Sequence, residues 1–167
     1  MIDSFFELTK DYDKFCIACV MLDMVKYTSI YFESQSEMFV NLLKALRLLT
    51  YSDNLPKMVL IKFALNLLKL NGYELAGDVC DDCGVKLGGS CFLDVTTGST
   101  KCDLCKTPNC VSMSAGVNTL IRNLNGLDYD KLSILKASHN VINETLTIIK
   151  LDVEKRISPK INFSQVF

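Results

Sequence analysis

Four of the eight cysteines are spaced to hold a metal ion. Cys80-Asp81-Asp82-Cys83-Gly84 and Cys102-Asp103-Leu104-Cys105 form two C-x-x-C pairs with eighteen residues between them. Each tight pair can turn two sulfurs toward one ion from a knuckle, and Gly84 can relieve the backbone there. Two knuckles complete the tetrahedral four-sulfur shell that zinc takes in structural sites. The expectation is therefore one structural zinc ion held by Cys80, Cys83, Cys102 and Cys105. Four thiolates leave no open position for water, so Lewis-acid catalysis is not expected there. Redox dithiols and an iron–sulfur cluster are the chemical competitors for the same residues. Asp78, Asp81, Asp82 and Asp103 add negative charge around the knuckles, which makes that region a poor surface for phosphate.

The remaining cysteines carry less. Cys16 and Cys19 also form a C-x-x-C pair, but within a helical apolar stripe, where they are expected as buried small hydrophobes. Cys91 on a short strand and Cys110 beyond the second knuckle are alternative ligands. The single histidine, His139, is expected to be solvated or capping rather than a general base. There is no P-loop, no G-x-S-x-G and no H-E-x-x-H, and no catalytic residue is assigned. Asp11 and Asp13 suit the N-terminal dipole of the first helix.

The elements that must position the knuckles are helical. Residues 11–32 place Phe15, Cys19, Leu22, Val25 and Ser29 on one face, with Ala18, Met21 and Phe32 beside it. Ser34 and Glu37 have capping-box spacing and open a second helix through Tyr51. Pro56 starts a third, which Asn71-Gly72 stops. That third helix is apolar almost all round, as expected of the centre of a bundle, with Lys62, Asn66 and Lys69 as a narrow solvated edge. Helical periodicity then gives way, over residues 77–110, to glycine, aspartate, threonine and cysteine. Turns at Gly88-Gly89 and Thr97-Gly98 flank a short strand, Cys91-Phe92-Leu93. Helix resumes behind Ser114, an N-cap, and runs to Gly126. A last helix is expected from Tyr129 to Arg156, with Leu132, Leu135, Val141, Ile142, Leu146, Ile149 and Val153 as its apolar face. The fold class is thus all-α: a helical bundle formed by residues 1–76 and 111–167, with a small four-cysteine zinc ribbon inserted at 77–110, in one compact domain.

Composition bounds the function. Of 167 residues, 49% are hydrophobic, which excludes a disordered tail. Eighteen basic and nineteen acidic residues nearly cancel, so strong DNA binding by this chain alone is not expected. Residues 111–167 lean basic, by seven charges to five. Their Arg122, Lys131, Lys136, Lys150, Lys155, Arg156 and Lys160 are candidates to attract an acidic peptide tail or DNA, a solvated helix face being the plainer reading. The acidic N-terminus is not a secretory signal, and the most apolar stretch, 58–70, is too short for a membrane span; an intracellular, cytoplasmic protein is expected.

Taken together, these segments resemble the helical, zinc-containing C-terminal region of the bacterial RecO family of DNA repair and recombination mediators. FALNLLKLNGYELAGDVCDDCG is similar to the family's leucine-rich helix, Gly-Tyr turn and first knuckle, and CFLDVTTGSTKCDLC to its hairpin and second knuckle. VSMSAGVNTLIRNLNGL and VEKRISPKINF resemble its next helix and its closing basic segment. The resemblance implies a non-catalytic module that interacts with RecR and single-strand-binding protein, supports RecA loading and strand annealing, and gathers at the nucleoid during repair. The family begins with an OB-fold that contributes to DNA binding. No such stretch is visible here, so a truncated form with weak DNA binding is expected. Two rivals stand beside this reading: a zinc-ribbon adaptor of another nucleic-acid pathway such as transcription, and a thiol-redox enzyme using Cys16 and Cys19.

Overall fold

Asp11 opens the first long helix: its Oδ1 accepts from the Lys14 N–H at 3.1 Å and caps α1, Tyr12–Thr28. The computed structural model describes residues 4–28, 35–75 and 77–167. Three further helices complete the first half: a 3-10 turn at Phe6–Lys10, then α2 over Gln35–Tyr51 and α3 over Pro56–Leu70. Proline at the first turn of α3 sacrifices no helical hydrogen bond, since that N–H has no intrahelical partner. The capping box at Ser34 lies outside the described residues, as do Ser29 and Phe32.

The core-facing side of α1 is not the expected one. Ile17, Val20, Met21, Met24 and Thr28 are buried, while Phe15 and Leu22 are about half exposed and Cys19 lies open to solvent. Both stripes are apolar at three-and-four spacing, so periodicity alone offered two faces. Packing of α1 against α2 and α3 selects one of them.

Helix α3 is the centre of the bundle, in contact with α1, α2, α4 and α5. Its expected solvated edge is only partly so. Lys69 reaches solvent and pairs with Glu74 at 2.8 Å. Asn66 donates to Asn41 Oδ1 at 3.0 Å, and Tyr129 Oη donates to the same oxygen at 2.7 Å. Lys62 is buried, at 4% exposure, because the C-terminal end of α4 closes over it. Its ammonium group donates to the Leu124 carbonyl at 2.7 Å.

After α3 the chain forms a three-stranded antiparallel sheet in the order β2-β1-β3: β1 is Cys91–Asp94, β2 Thr100–Lys101 and β3 Cys110–Met113. Phe92 stands opposite Lys101 on one side and Ser112 on the other. The third strand has no counterpart in the sequence reading. Helix α4, Ala115–Asn125, follows with Ser114 as its cap, accepting from the Val117 N–H. Glu144 reinforces that cap: it accepts from the Ser114 backbone N–H at 3.1 Å and from its hydroxyl at 2.9 Å.

The expected helix from Tyr129 to Arg156 is two elements. Tyr129–Ile134 is a 3-10 helix, and α5 spans His139–Arg156. Ser138 supplies the reason, since its Oγ accepts from the Val141 N–H at 3.3 Å and starts a new helix there. The break lets Tyr129 and Leu132 turn into the core independently of α5. His139 is therefore the first, exposed residue of α5. Beyond α5, Ile161, Phe163 and Val166 return to the core.

Candidate metal centre

Both knuckles are built by short backbone hydrogen bonds. At the first, the Gly84 N–H donates to the Cys80 carbonyl at 2.8 Å, and the Cys80 N–H to the Val85 carbonyl at 2.8 Å. Gly84 has φ +73°, in the left-handed region that favours glycine. At the second, the Cys105 N–H donates to the Cys102 carbonyl at 3.2 Å. Asp81 joins the two. Its N–H donates to the Thr100 carbonyl at 2.9 Å, and its carboxylate accepts from the Thr100 N–H at 2.6 Å. Since Thr100 begins β2 and Cys102 follows that strand, the first knuckle sets the position of the second.

The result is a four-thiol cluster. The sulfurs of Cys80, Cys83, Cys102 and Cys105 all lie within 4.8 Å of one another, and those of Cys83 and Cys102 are 3.7 Å apart. A zinc–sulfur bond of about 2.3 Å puts tetrahedral sulfurs roughly 3.8 Å apart, so the set fits such an ion. The protonation chemistry points the same way. Backbone N–H groups of Cys102 and Cys83 favour the Cys80 thiolate and lower its pKa to about 6. The thiols of Cys102 and Cys83 crowd Cys105 and push it up to about 12. Sulfurs this close cannot all ionise by themselves, and a divalent cation is what stabilises four thiolates in one shell. Cys91, wholly buried at the start of the central strand β1, and Cys110, which accepts from the Thr107 N–H at 3.2 Å, lie outside this cluster.

The acidic residues around the knuckles are largely neutralised within the chain. Asp78 pairs with Arg122 at 2.6 Å, Asp103 with Lys106 at 2.6 Å, and Asp82 with Lys101 at 3.1 Å. Lys101 is nearly buried and also reaches Asp94 at 3.4 Å. Asp94 is the pivot of the hairpin. Its Oδ1 accepts from the Thr96 and Thr97 N–H groups at 2.9 and 3.3 Å. Burial raises its pKa, but those N–H groups and Lys101 outweigh this and hold the carboxyl below its ordinary value. Sequence reasoning identified the Thr97-Gly98 turn without Asp94 or Lys101. The Asp94-Val95-Thr96-Thr97-Gly98 run carries the signal, an aspartate whose side chain bonds to N–H groups two and three residues on.

The ribbon is fastened to the helices at three points. Asn118 Nδ2 on α4 donates to the carbonyls of Leu87 and Gly89 at 2.9 and 3.2 Å. Arg122 holds Asp78. Arg156 on α5 donates to the Thr96 carbonyl at 3.1 Å, stacks over the Tyr73 ring and pairs with buried Asp152 at 3.4 Å. A Cβ at Gly98 would lie 2.7 Å from the Arg156 guanidinium. Of the seven basic candidates, Arg122, Lys150 and Arg156 therefore have acidic partners in the chain, Lys150 through Glu154 at 3.8 Å. Lys131, Lys136, Lys155 and Lys160 are exposed.

Cys16 and Cys19 are parted by burial: Cys16 is buried and donates to Gln165 Oε1 at 3.3 Å, while Cys19, expected inside, is exposed. Partial desolvation of the Cys19 thiol, with Cys16 and Asp23 beside it, pushes its pKa up, the reverse of what a reactive thiol needs.

The fold and the cluster define a helical-bundle protein that carries a ribbon-type cluster of four thiols able to hold a metal ion. The chain belongs to the RecO family of recombination and repair proteins, matching the family described as recombination protein O C terminal over residues 9–162. It is 33% identical over 121 residues to the DNA repair protein RecO of Frankia casuarinae, covering 72% of this chain and 49% of that protein. With RecO of Clostridium acetobutylicum the identity is 21% over 150 residues, covering 90% and 61%. With RecO of Streptomyces coelicolor it is 30% over 105 residues, covering 62% and 42%. The chain thus spans roughly half the length of these relatives. No solved structure matches it significantly. Among the described residues no helix is long and apolar enough to cross a membrane.

Proposed function

We propose that this chain is the zinc-holding, non-catalytic helical module of a RecO-type recombinational repair mediator, acting through protein contacts rather than chemistry. The family match over residues 9–162 is the observation that carries this reading. The four-thiol cluster supports zinc as the metal and Cys80, Cys83, Cys102 and Cys105 as its ligands. Bound zinc would supply a crosslink between the two knuckles. The residues of the chain do the rest: Asp81 registers the knuckles, Asp94 and Lys101 hold the hairpin, and Asn118, Arg122 and Arg156 transmit its position to α4 and α5. In this reading residues 1–76 and 111–167 form the bundle and 77–110 the inserted ribbon, all in one compact domain.

The partners are RecR and single-strand-binding protein, and the outcome is support of RecA loading and strand annealing in the cytoplasm, at the nucleoid. DNA binding by this chain alone is weak, because a net charge of −1 leaves little basic surface. Pull-down of purified RecR and single-strand-binding protein by the zinc-loaded chain tests the reading. Capture of either supports it, and capture of neither overturns it.

A further inference from the structure

The four thiols that converge at the knuckles are not equally placed. Cys80 is buried, at 1% exposure, and backbone N–H groups of Cys102 and Cys83 hold its sulfur. Cys102 and Cys105 are partly buried, whereas Cys83 is exposed. Beside Cys83, a Cβ on Gly84 would meet nothing within 4 Å, so a small solute has a clear approach to this sulfur. The Cys83 Sγ lies 3.7 Å from that of Cys102, on the opposite knuckle. A disulfide bond is about 2.05 Å long, so rotation of these two side chains has only roughly 1.7 Å to close.

We propose that Cys83 and Cys102 are a site of reversible oxidation by hydrogen peroxide, their disulfide replacing the metal as the link between the knuckles. The inference rests on the zinc reading above. The Cys83 thiolate attacks one peroxide oxygen, breaking the O–O bond to give a sulfenic acid and hydroxide. The Cys102 thiolate then attacks the Cys83 sulfur and expels a second hydroxide. Two electrons pass from the two thiolates to one peroxide, and the two hydroxides take up protons to become water. Loss of two of the four ligands opens the shell, so the zinc ion is released. The ribbon stays closed nonetheless. The Asp81 bonds to Thr100, at 2.9 and 2.6 Å, use no sulfur and keep the knuckles in register. The new bond joins residues nineteen apart in sequence, whereas a disulfide within one knuckle joins residues three apart and leaves the two knuckles unlinked.

Titration of the parent chain with hydrogen peroxide tests this, after its metal content has been measured. Release of about one zinc ion per disulfide is expected, read with a chromogenic chelator. Peptide mapping without reductant should place that disulfide between Cys83 and Cys102, and reductant with added zinc should restore the starting state. Amide protection over residues 77–113 should largely persist in the oxidised chain, although chelation of the reduced chain removes it. A disulfide within either knuckle, or zinc lost to sulfinic acids with no disulfide formed, overturns the proposal. So does an oxidised ribbon as unprotected as the chelated one, or a cluster that peroxide leaves intact. A chain found metal-free at the start overturns the zinc reading instead, and the disulfide map of that chain still decides the pairing.

Discussion

The Lys62 ammonium group lies 2.7 Å from the Leu124 carbonyl, so a cation on α3 caps the C-terminal turn of α4 from inside the bundle. Unpaired carbonyls at a helix C-terminus carry partial negative charge, and a buried lysine there satisfies one of them directly. The Tyr129 ring stands 5.9 Å from the same nitrogen. This contact closes α4 onto α3 across sixty-two residues of sequence.

Truncating Lys62 should therefore cost more than a surface lysine. For Lys62→Ala we expect a loss of about 2–3 kcal/mol, from the cavity and the orphaned carbonyl together. The pH dependence has a definite sign. Burial lowers the Lys62 pKa below the ordinary lysine value. The unfolded chain then binds more protons between the two values, so stability rises with pH across that window. Urea unfolding at a series of alkaline pH values should show that rise in the parent, and a flatter profile in Lys62→Met.

Removing the metal should unfold the ribbon before the bundle. Chelation, or Cys80→Ser with Cys102→Ser, is expected to take zinc from about one per chain to none. Amide protection over residues 77–113 should be lost while most of the helical circular dichroism persists. Acid should have the same effect, because protons compete for the ligand thiolates. Elemental analysis paired with hydrogen exchange reads both outcomes.

Arg156→Ala should be costly, and chiefly through the residue it leaves behind. Asp152 is 1% exposed, with Arg156 as its partner. Breaking a buried pair from one side typically costs about 3–5 kcal/mol. Burial already raises the Asp152 pKa, with Arg156 opposing the shift. A raised carboxyl favours the folded state at low pH and loses that contribution as pH rises from the ordinary value through the folded one. The alanine variant should therefore be most stable in mild acid relative to the parent. Thermal midpoints from pH 4 upward test this, and Asp152→Asn in the same background should remove the slope.

Asp94→Ala should loosen the hairpin without touching a sulfur. Loss of the Thr96 and Thr97 hydrogen bonds and of the Lys101 pairing is expected to cost about 2–3 kcal/mol locally. Asp94 has a lowered pKa, so its contribution is present above the ordinary carboxylate value and disappears as pH falls through the folded one. Faster zinc release to a chromogenic chelator is the readout, and an unchanged rate would refute the role.

The knuckles were legible because thiol spacing is itself the chemistry: two residues between ligands fix a turn, whatever surrounds it. The Ser114 cap and the proline start of α3 were legible for the same local reason. What escaped was decided by distant partners. Nothing near Lys62 says that Leu124 will lie above it, and nothing in α1 says which of two apolar stripes α2 and α3 will cover. The Tyr129–Arg156 stretch read as one helix because its apolar spacing hardly falters, and a single serine hydroxyl at position 138 divides it. The third strand escaped because Cys110–Met113 is four residues long and is held mainly by pairing with β1.

The central position of α3 also bears on how the chain is made. Two of its packing partners, α1 and α2, precede it, while α4 and α5 lie beyond the ribbon. During synthesis from the N-terminus, the side of α3 that α5 will cover stays bare until some eighty further residues have emerged. Through that interval the nascent chain presents a leucine-rich surface of the kind that chaperones capture. The time taken to translate and close the ribbon sets how long that exposure lasts.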